Sequence, residues 1–193
     1  MRLFIVRHGE TFENKKHIHQ GQLLGELNEI GKSEAEFVAE KLKNKNINFD
    51  HIFSSDLKRA SDTSKIILKQ FSNTPITFTT NLREGDWGSW TGLTHQETKG
   101  LVQPLDSETL KEIFIRAKKI LLSTLAEFND KTILFVGHNG INKAIISNVL
   151  NIPLSKFNQI RKQLNNDIYE LEIDKNLKIS KFLLNDSEFE LFK

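Results

Sequence analysis

Two short apolar runs constrain this chain more than any other feature: "LFIV" at residues 3–6 and "TILFV" at residues 132–136. Neither alternates apolar with polar residues. Each therefore reads as a strand buried on both faces, as in a parallel sheet covered by helices on either side. Both runs stop at the same kind of place, in Arg7-His8-Gly9 after the first and Gly137-His138-Asn139-Gly140 after the second.

The intervening pattern fits that architecture. Residues 9–28 are mostly polar, and a helix is predicted over 29–43, where Ala35, Val38, Ala39 and Leu42 recur at helical spacing. "HIFSSDLKRASDTSKIIL" reads as a strand at 51–54, a helix cap at Ser55 or Asp56, and a helix to about residue 71. "PITFTTNL" is a third strand, "REGDWGSWTGL" a loop, and residues 107–128 a long amphipathic helix. A further helix follows His138, and "DIYELEID" and "KISKFLLN" flank Lys175-Asn176 as a hairpin. Strands alternating with helices predict an α/β fold, a three-layer α/β/α sandwich with a mostly parallel central sheet.

At 193 residues there is room for one substantial core, so residues 1–193 are expected to form a single domain. The net charge of +2 gives no electrostatic ground for nucleic acid or a membrane surface as a partner. With no cysteine, disulfides, zinc-thiolate sites and cysteine nucleophiles are excluded. No long apolar segment lies behind a basic start, which predicts no signal peptide or membrane span and points to a cytoplasmic protein.

In open α/β sheets, ligands bind beyond the carboxyl ends of the strands. His8, the 54–59 segment, Glu84 and His138 all follow predicted strands and so have reason to converge. Arginine is scarce here, six residues against 21 lysines, yet Arg7, Arg59 and Arg83 all sit at these junctions. A guanidinium fork grips phosphate or carboxylate in two places, which an ammonium does not. Two arginines, two histidines and an asparagine around one pocket describe an oxyanion site.

"RHGE", "SSDLKRASDTS", "LREGDWGSWTG" and "VGHNG" together resemble the histidine phosphatase superfamily, the phosphoglycerate mutase-like proteins. The resemblance runs in order from Met1 to about residue 150 and implies the phosphoglycerate mutase-like fold. It implies that His8 is the nucleophile that becomes phosphorylated. Arg7, Arg59 and His138 would hold the phosphoryl oxygens, with Asn14, Gln20, Gly21 and Asn139 as further phosphate-binding positions. Glu84 would be the proton donor and later activate water. No metal and no organic cofactor is implied, and the partner would be a small phosphorylated metabolite.

The chemistry agrees. Phosphoryl transfer asks for an in-line nucleophile and neutralisation of the equatorial oxygens. A neutral imidazole attacks without a base, provided its other nitrogen has an acceptor such as a nearby backbone carbonyl. As metal ligands, His8 and His138 would need a third partner, and arginines on either side make a poor seat for a cation.

Other residues carry plainer expectations. Arg83 anchors its loop, and Arg116 is structural. His17, His19 and His95 lie in polar loops and read as surface residues, with His17 or His19 placed to line the mouth. Trp87 and Trp90 pack the loop onto the sheet. The sequence departs from the family pattern after the Gln20-Gly21 turn, where Leu24 and Glu26 replace the common Asp and Pro, and at Trp90-Thr91-Gly92. Residues 93–106 are short where relatives carry a longer cover. The expected activity is a phosphatase; alternatives are a mutase, a protein phosphohistidine phosphatase, or a catalytically silent binder of phosphorylated ligands.

Overall fold

The first apolar run lies within strand β1 (Arg2–Arg7) of a computed structural model that describes residues 1–187 and Leu191. A four-residue helix, α1 (Phe12–Lys15), interrupts the stretch expected to be loop, because Thr11 and Asn14 form a capping box around its first turn. Helix α2 (Glu29–Asn44) follows, capped by Asn28. Then come β2 (His51–Ser55), α3 (Lys58–Leu68) and β3 (Ile76–Thr79). Helix α4 (Leu110–Glu127), strand β4 (Thr132–Gly137) and helix α5 (Asn139–Val149) lead to the antiparallel hairpin β5 (Ile168–Ile173) and β6 (Ile179–Leu184).

The six strands form one sheet in the order β3-β2-β4-β1-β5-β6. Pairs β2–β3, β2–β4 and β1–β4 are parallel, while β5 is antiparallel to both β1 and β6, so β5 alone opposes the common direction among the described strands. Leu3, Phe4, Ile5 and Val6 are all fully buried, and each such side chain contributes about 1.5–3 kcal/mol. Leu3 and Ile5 pack with Ala117, Leu121, Ile141 and Ile145 of α4 and α5. Phe4 and Val6 pack with Val38, Leu42, Ala60 and Ile67 of α2 and α3. Alternate residues of one strand thus feed two helical layers, which makes the three-layer sandwich.

Some local expectations are corrected. The N-cap of α3 is Leu57, without a side-chain cap bond, so neither Ser55 nor Asp56 caps that helix. Asp56 instead takes two hydrogen bonds from Arg83, and Ser55 turns toward His138. Helix α3 ends at Leu68, and the third strand is four residues followed by a 3-10 turn, Thr80–Leu82. Two further unanticipated 3-10 turns cover Gly88–Trp90 and Leu154–Gln159.

Candidate active site

Strands β1 and β4 are parallel neighbours, with Arg7 opposite Gly137 in the register. The next residue on each is a histidine, so the topology alone puts His8 beside His138, with ring centroids 5.0 Å apart. The glycine after His8 is forced by packing: a Cβ on Gly9 would lie 2.1 Å from the carbonyl oxygen of Gly31 in the first turn of α2. The backbone of the "RHG" turn and that of the helix pass too close for any side chain.

His8 is 3% exposed, and its Nδ1 lies 2.7 Å from the carbonyl oxygen of Gly9. A carbonyl only accepts, so Nδ1 carries the proton and donates, which leaves the lone pair on Nε2. Burial, reinforced by the cations Arg59 and Arg7, holds the imidazole pKa well below its ordinary value. The ring is therefore neutral, its nucleophilic form, across the physiological range. His138 is fully buried next to it and does not form part of the cavity surface. Its Nε2 is hydrogen-bonded to Ser55 Oγ at 2.8 Å, and its pKa is depressed by burial and then by Arg59.

A cavity of about 530 Å³ opens over His8. Arg7, Asn14, Gln20, Gly21, Arg59, Glu84 and Asn139 all line it. The two arginines are arranged differently. Arg7 donates from Nη1 to Gln163 O at 3.0 Å, whereas Arg59 spends Nη2 on Gly21 O at 2.8 Å and Nη1 on the carbonyl of Leu23. Arg59 therefore grips the 21–24 turn as well as facing the cavity. Burial lowers its pKa to about 10, and it stays cationic. The Nε atoms of both arginines and Nδ1 of His138 are buried without a partner among the described residues. Buried guanidinium N–H groups left unpaired cost roughly 1–3 kcal/mol each.

Asn14 uses its Oδ1 to accept from Thr11 N at 3.2 Å, a bond that orients the side chain within the capping box. Asn139 accepts from Gln163 N through its Oδ1 at 3.0 Å. Glu84 sits at the N-terminus of α5 and accepts from Gly140 N at 3.1 Å and Ile141 N at 3.3 Å. That helix end, whose N-cap His138 makes no side-chain cap bond, is thus capped from a distant loop. Arg83 anchors the loop through Asp56, as expected, and Arg116 of α4 donates to the carbonyls of Asn81 and Arg83.

His17, His19, His95 and Trp87 also line the cavity, so these loop histidines border the site. His19 packs on Trp87, with ring centroids 4.6 Å apart, and on His95 at 4.4 Å. Burial lowers the pKa of both His19 and His95. Sequence reasoning missed Ser55 as the partner of His138, and missed Lys162, Gln163 and Asn165. The last three lie in the polar stretch "RKQLNND", whose pattern signals only a turn.

A profile of the histidine phosphatase superfamily (branch 1) matches residues 3–186. The chain belongs to the histidine phosphatase superfamily. Among relatives in that superfamily, phosphoglycerate mutase-like protein 4 of Arabidopsis thaliana is 30% identical over 74% of this chain and 68% of its own length. A glucosyl-3-phosphoglycerate phosphatase of Mycolicibacterium vanbaalenii is 28% identical over 81% of this chain and 77% of its own. The solved structure of a mycobacterial glucosyl-3-phosphoglycerate phosphatase superposes with a TM-score of 0.82 at 26% identity, covering 95% of this chain and 96% of that one. The histidine phosphatase fold is therefore shared across nearly the whole chain. Among the described residues there is no cluster of three or more His, Cys, Asp or Glu able to hold a metal ion, and no helix is long and apolar enough to cross a membrane.

Proposed function

We propose that this protein hydrolyses a small phosphomonoester through a phosphohistidine on His8, with Glu84 as proton donor and acceptor and without a metal. The observation that carries this reading is the state of His8: neutral, with Nδ1 tied to Gly9 O and Nε2 free. Arg7 and Arg59 neutralise the phosphoryl oxygens as Nε2 attacks phosphorus and the alkoxide leaves. Glu84 protonates that alkoxide, then takes a proton from the water that cleaves the phosphorus–nitrogen bond. Asn14, Gln20, Gly21 and Asn139 complete the cradle, and the buried His138 packs beside His8.

His8→Ala is expected to abolish phosphate release from a metabolite panel while leaving the fold intact. Labelled substrate is expected to give an acid-labile, alkali-stable phosphoenzyme in the parent protein. Undiminished turnover in the variant would refute the mechanism. Activity is also expected to survive exhaustive EDTA treatment, and a loss restored by added zinc, manganese or magnesium would make the enzyme a metallophosphatase.

A second reading, a mutase that returns the phosphoryl group to its substrate, is favoured by the mutase-like relative. Against it stands the segment at 93–106, which contains no helix and leaves Leu101, Val102 and Leu105 exposed. A mutase needs a cover that keeps water from the phosphohistidine. Incubation with 3-phosphoglycerate and a trace of 2,3-bisphosphoglycerate separates the two readings. Phosphate release marks the phosphatase, and isomerisation with negligible release marks the mutase.

A further inference from the structure

Neighbouring residues on a strand point to opposite faces. On β1, Leu3 and Ile5 belong to the layer of α4 and α5, and Phe4 and Val6 to that of α2 and α3. Arg7 continues the first face and His8 the second, yet both line one cavity. The strand therefore delivers the nucleophile but does not by itself set the guanidinium against it. Some other part of the chain has to bring Arg7 round and hold it.

The segment ahead of β5 does this. Gln163 is fully buried and its bonds are all to fixed groups: Nε2 donates to Ile5 O at 3.0 Å and Asp167 O at 3.1 Å, and Oε1 accepts from Asn142 Nδ2 at 2.8 Å. Its carbonyl accepts from Arg7 Nη1. Two residues on, Asn165 lines the cavity, with Nδ2 donating to His8 O at 2.5 Å and Oδ1 accepting from Arg7 Nη1 at 3.4 Å. A guanidinium only donates and a carbonyl only accepts, so the amide has one workable orientation, and an amide is needed to serve both.

We propose that Asn165 is a positioning residue that links the backbone of His8 to the guanidinium of Arg7 and so sets the phosphate clamp against the nucleophile. This rests on the roles given above to His8 and Arg7. Asn165 acts through Arg7, and that dependence is what an experiment reads. An aspartate at this position keeps the acceptor for Arg7, loses the donor to His8 O and faces that carbonyl with a like charge, so it fails to substitute.

The test is a double-mutant cycle on the full chain with Asn165→Ala, Arg7→Lys and the pair, using p-nitrophenyl phosphate turnover. The dissociation constant of inorganic phosphate, measured by calorimetry, gives the same cycle without requiring turnover. Asn165→Ala is expected to lower kcat about tenfold or more, with KM within about threefold and Tm nearly unchanged; in the Arg7→Lys background the same change costs less than about threefold. Asn165→Asp gives no rescue. An unchanged kcat in Asn165→Ala overturns the proposal, as does an equal loss in both backgrounds. A loss that follows Tm and disappears when the assay is run in the cold shows a merely structural role and also overturns it. If His8→Ala keeps full activity, the nucleophile assignment fails and takes this proposal with it. If His8→Ala is dead and the cycle is additive, only the role of Asn165 fails.

Discussion

A guanidinium and an ammonium carry the same charge, and the two arginines show what else is at stake. Arg7 faces the cavity with its Nε unpartnered, and Arg59 uses both Nη atoms on the backbone of the 21–24 turn. Arg7→Lys is expected to cost ~2–4 kcal/mol in transition-state stabilisation, read from kcat/KM, with little change in Tm. Arg59→Lys is expected to lose comparable activity and in addition to lower Tm, because its fork holds the turn together. Wild-type rates in either variant would put that arginine outside the chemistry. His8 carries a pH signature of its own. Because burial and the two arginines push its pKa down, the acid limb of kcat/KM due to His8 lies well below pH 6.5, its ordinary value. A limb at the ordinary imidazole value, after correction for the ionisation of the substrate, would mean that the ring is not held neutral.

Glu84 shows how elements cooperate to place one group. Its loop is held by Arg116 from α4, and its carboxylate rests on the first amides of α5. Gly140 is the contact point: a Cβ there would lie 2.4 Å from Glu84 Oε1. Since that atom ends a flexible side chain, Gly140→Ala is expected to displace the carboxylate while the fold survives. The loss of kcat, like that in Glu84→Gln, is then greater for alkyl phosphates than for aryl phosphates, whose leaving oxygen needs little protonation. Equal losses on both would reduce Glu84 to a helix cap. The strands that carry the site were legible in the sequence because strands buried on both faces leave unbroken apolar runs, and the "RHG" and "GHNG" ends follow them directly. Helix α2 was legible to within a residue or two by its periodicity. The supports of the site were not. Asn165 reaches His8 across 157 positions and Ser55 reaches His138 across 83, so their roles exist only once the sheet has formed. Local pattern offered no role for the one and a helix cap for the other, and only tertiary packing assigned them.

At the scale of the whole molecule, one buried charge ties together parts that the active site does not. Glu170 on β5 has a side chain only 3% exposed, yet it meets Arg2 of β1 at 2.9 Å, Lys45 at the end of α2 at 3.0 Å, and Lys181 of β6 at 2.7 Å. Burial pushes its carboxyl pKa up, but hydrogen bonds from Lys181, Lys45 and Arg2 outweigh that and hold it at about 2. A carboxyl depressed in the folded state adds stability that is fully present above its unfolded pKa and is lost as pH falls toward the folded one. Here that window runs from about pH 4.5 down to about pH 2, and the contribution is about 3 kcal/mol. Other groups also destabilise the protein in acid, notably His8 and His138, which are buried neutral and must take up protons on unfolding. Comparing the parent with Glu170→Gln cancels those terms. At pH 7 the variant is expected to be less stable by about 3 kcal/mol, since three cations lose their shared counter-ion. The gap should then close as pH falls through the window, because the parent protonates the same group. Denaturant titrations of both proteins at pH 7, 4 and 2.5 measure it. A gap that stays constant across that range would mean that the ion cluster does not set the acid stability of the sheet.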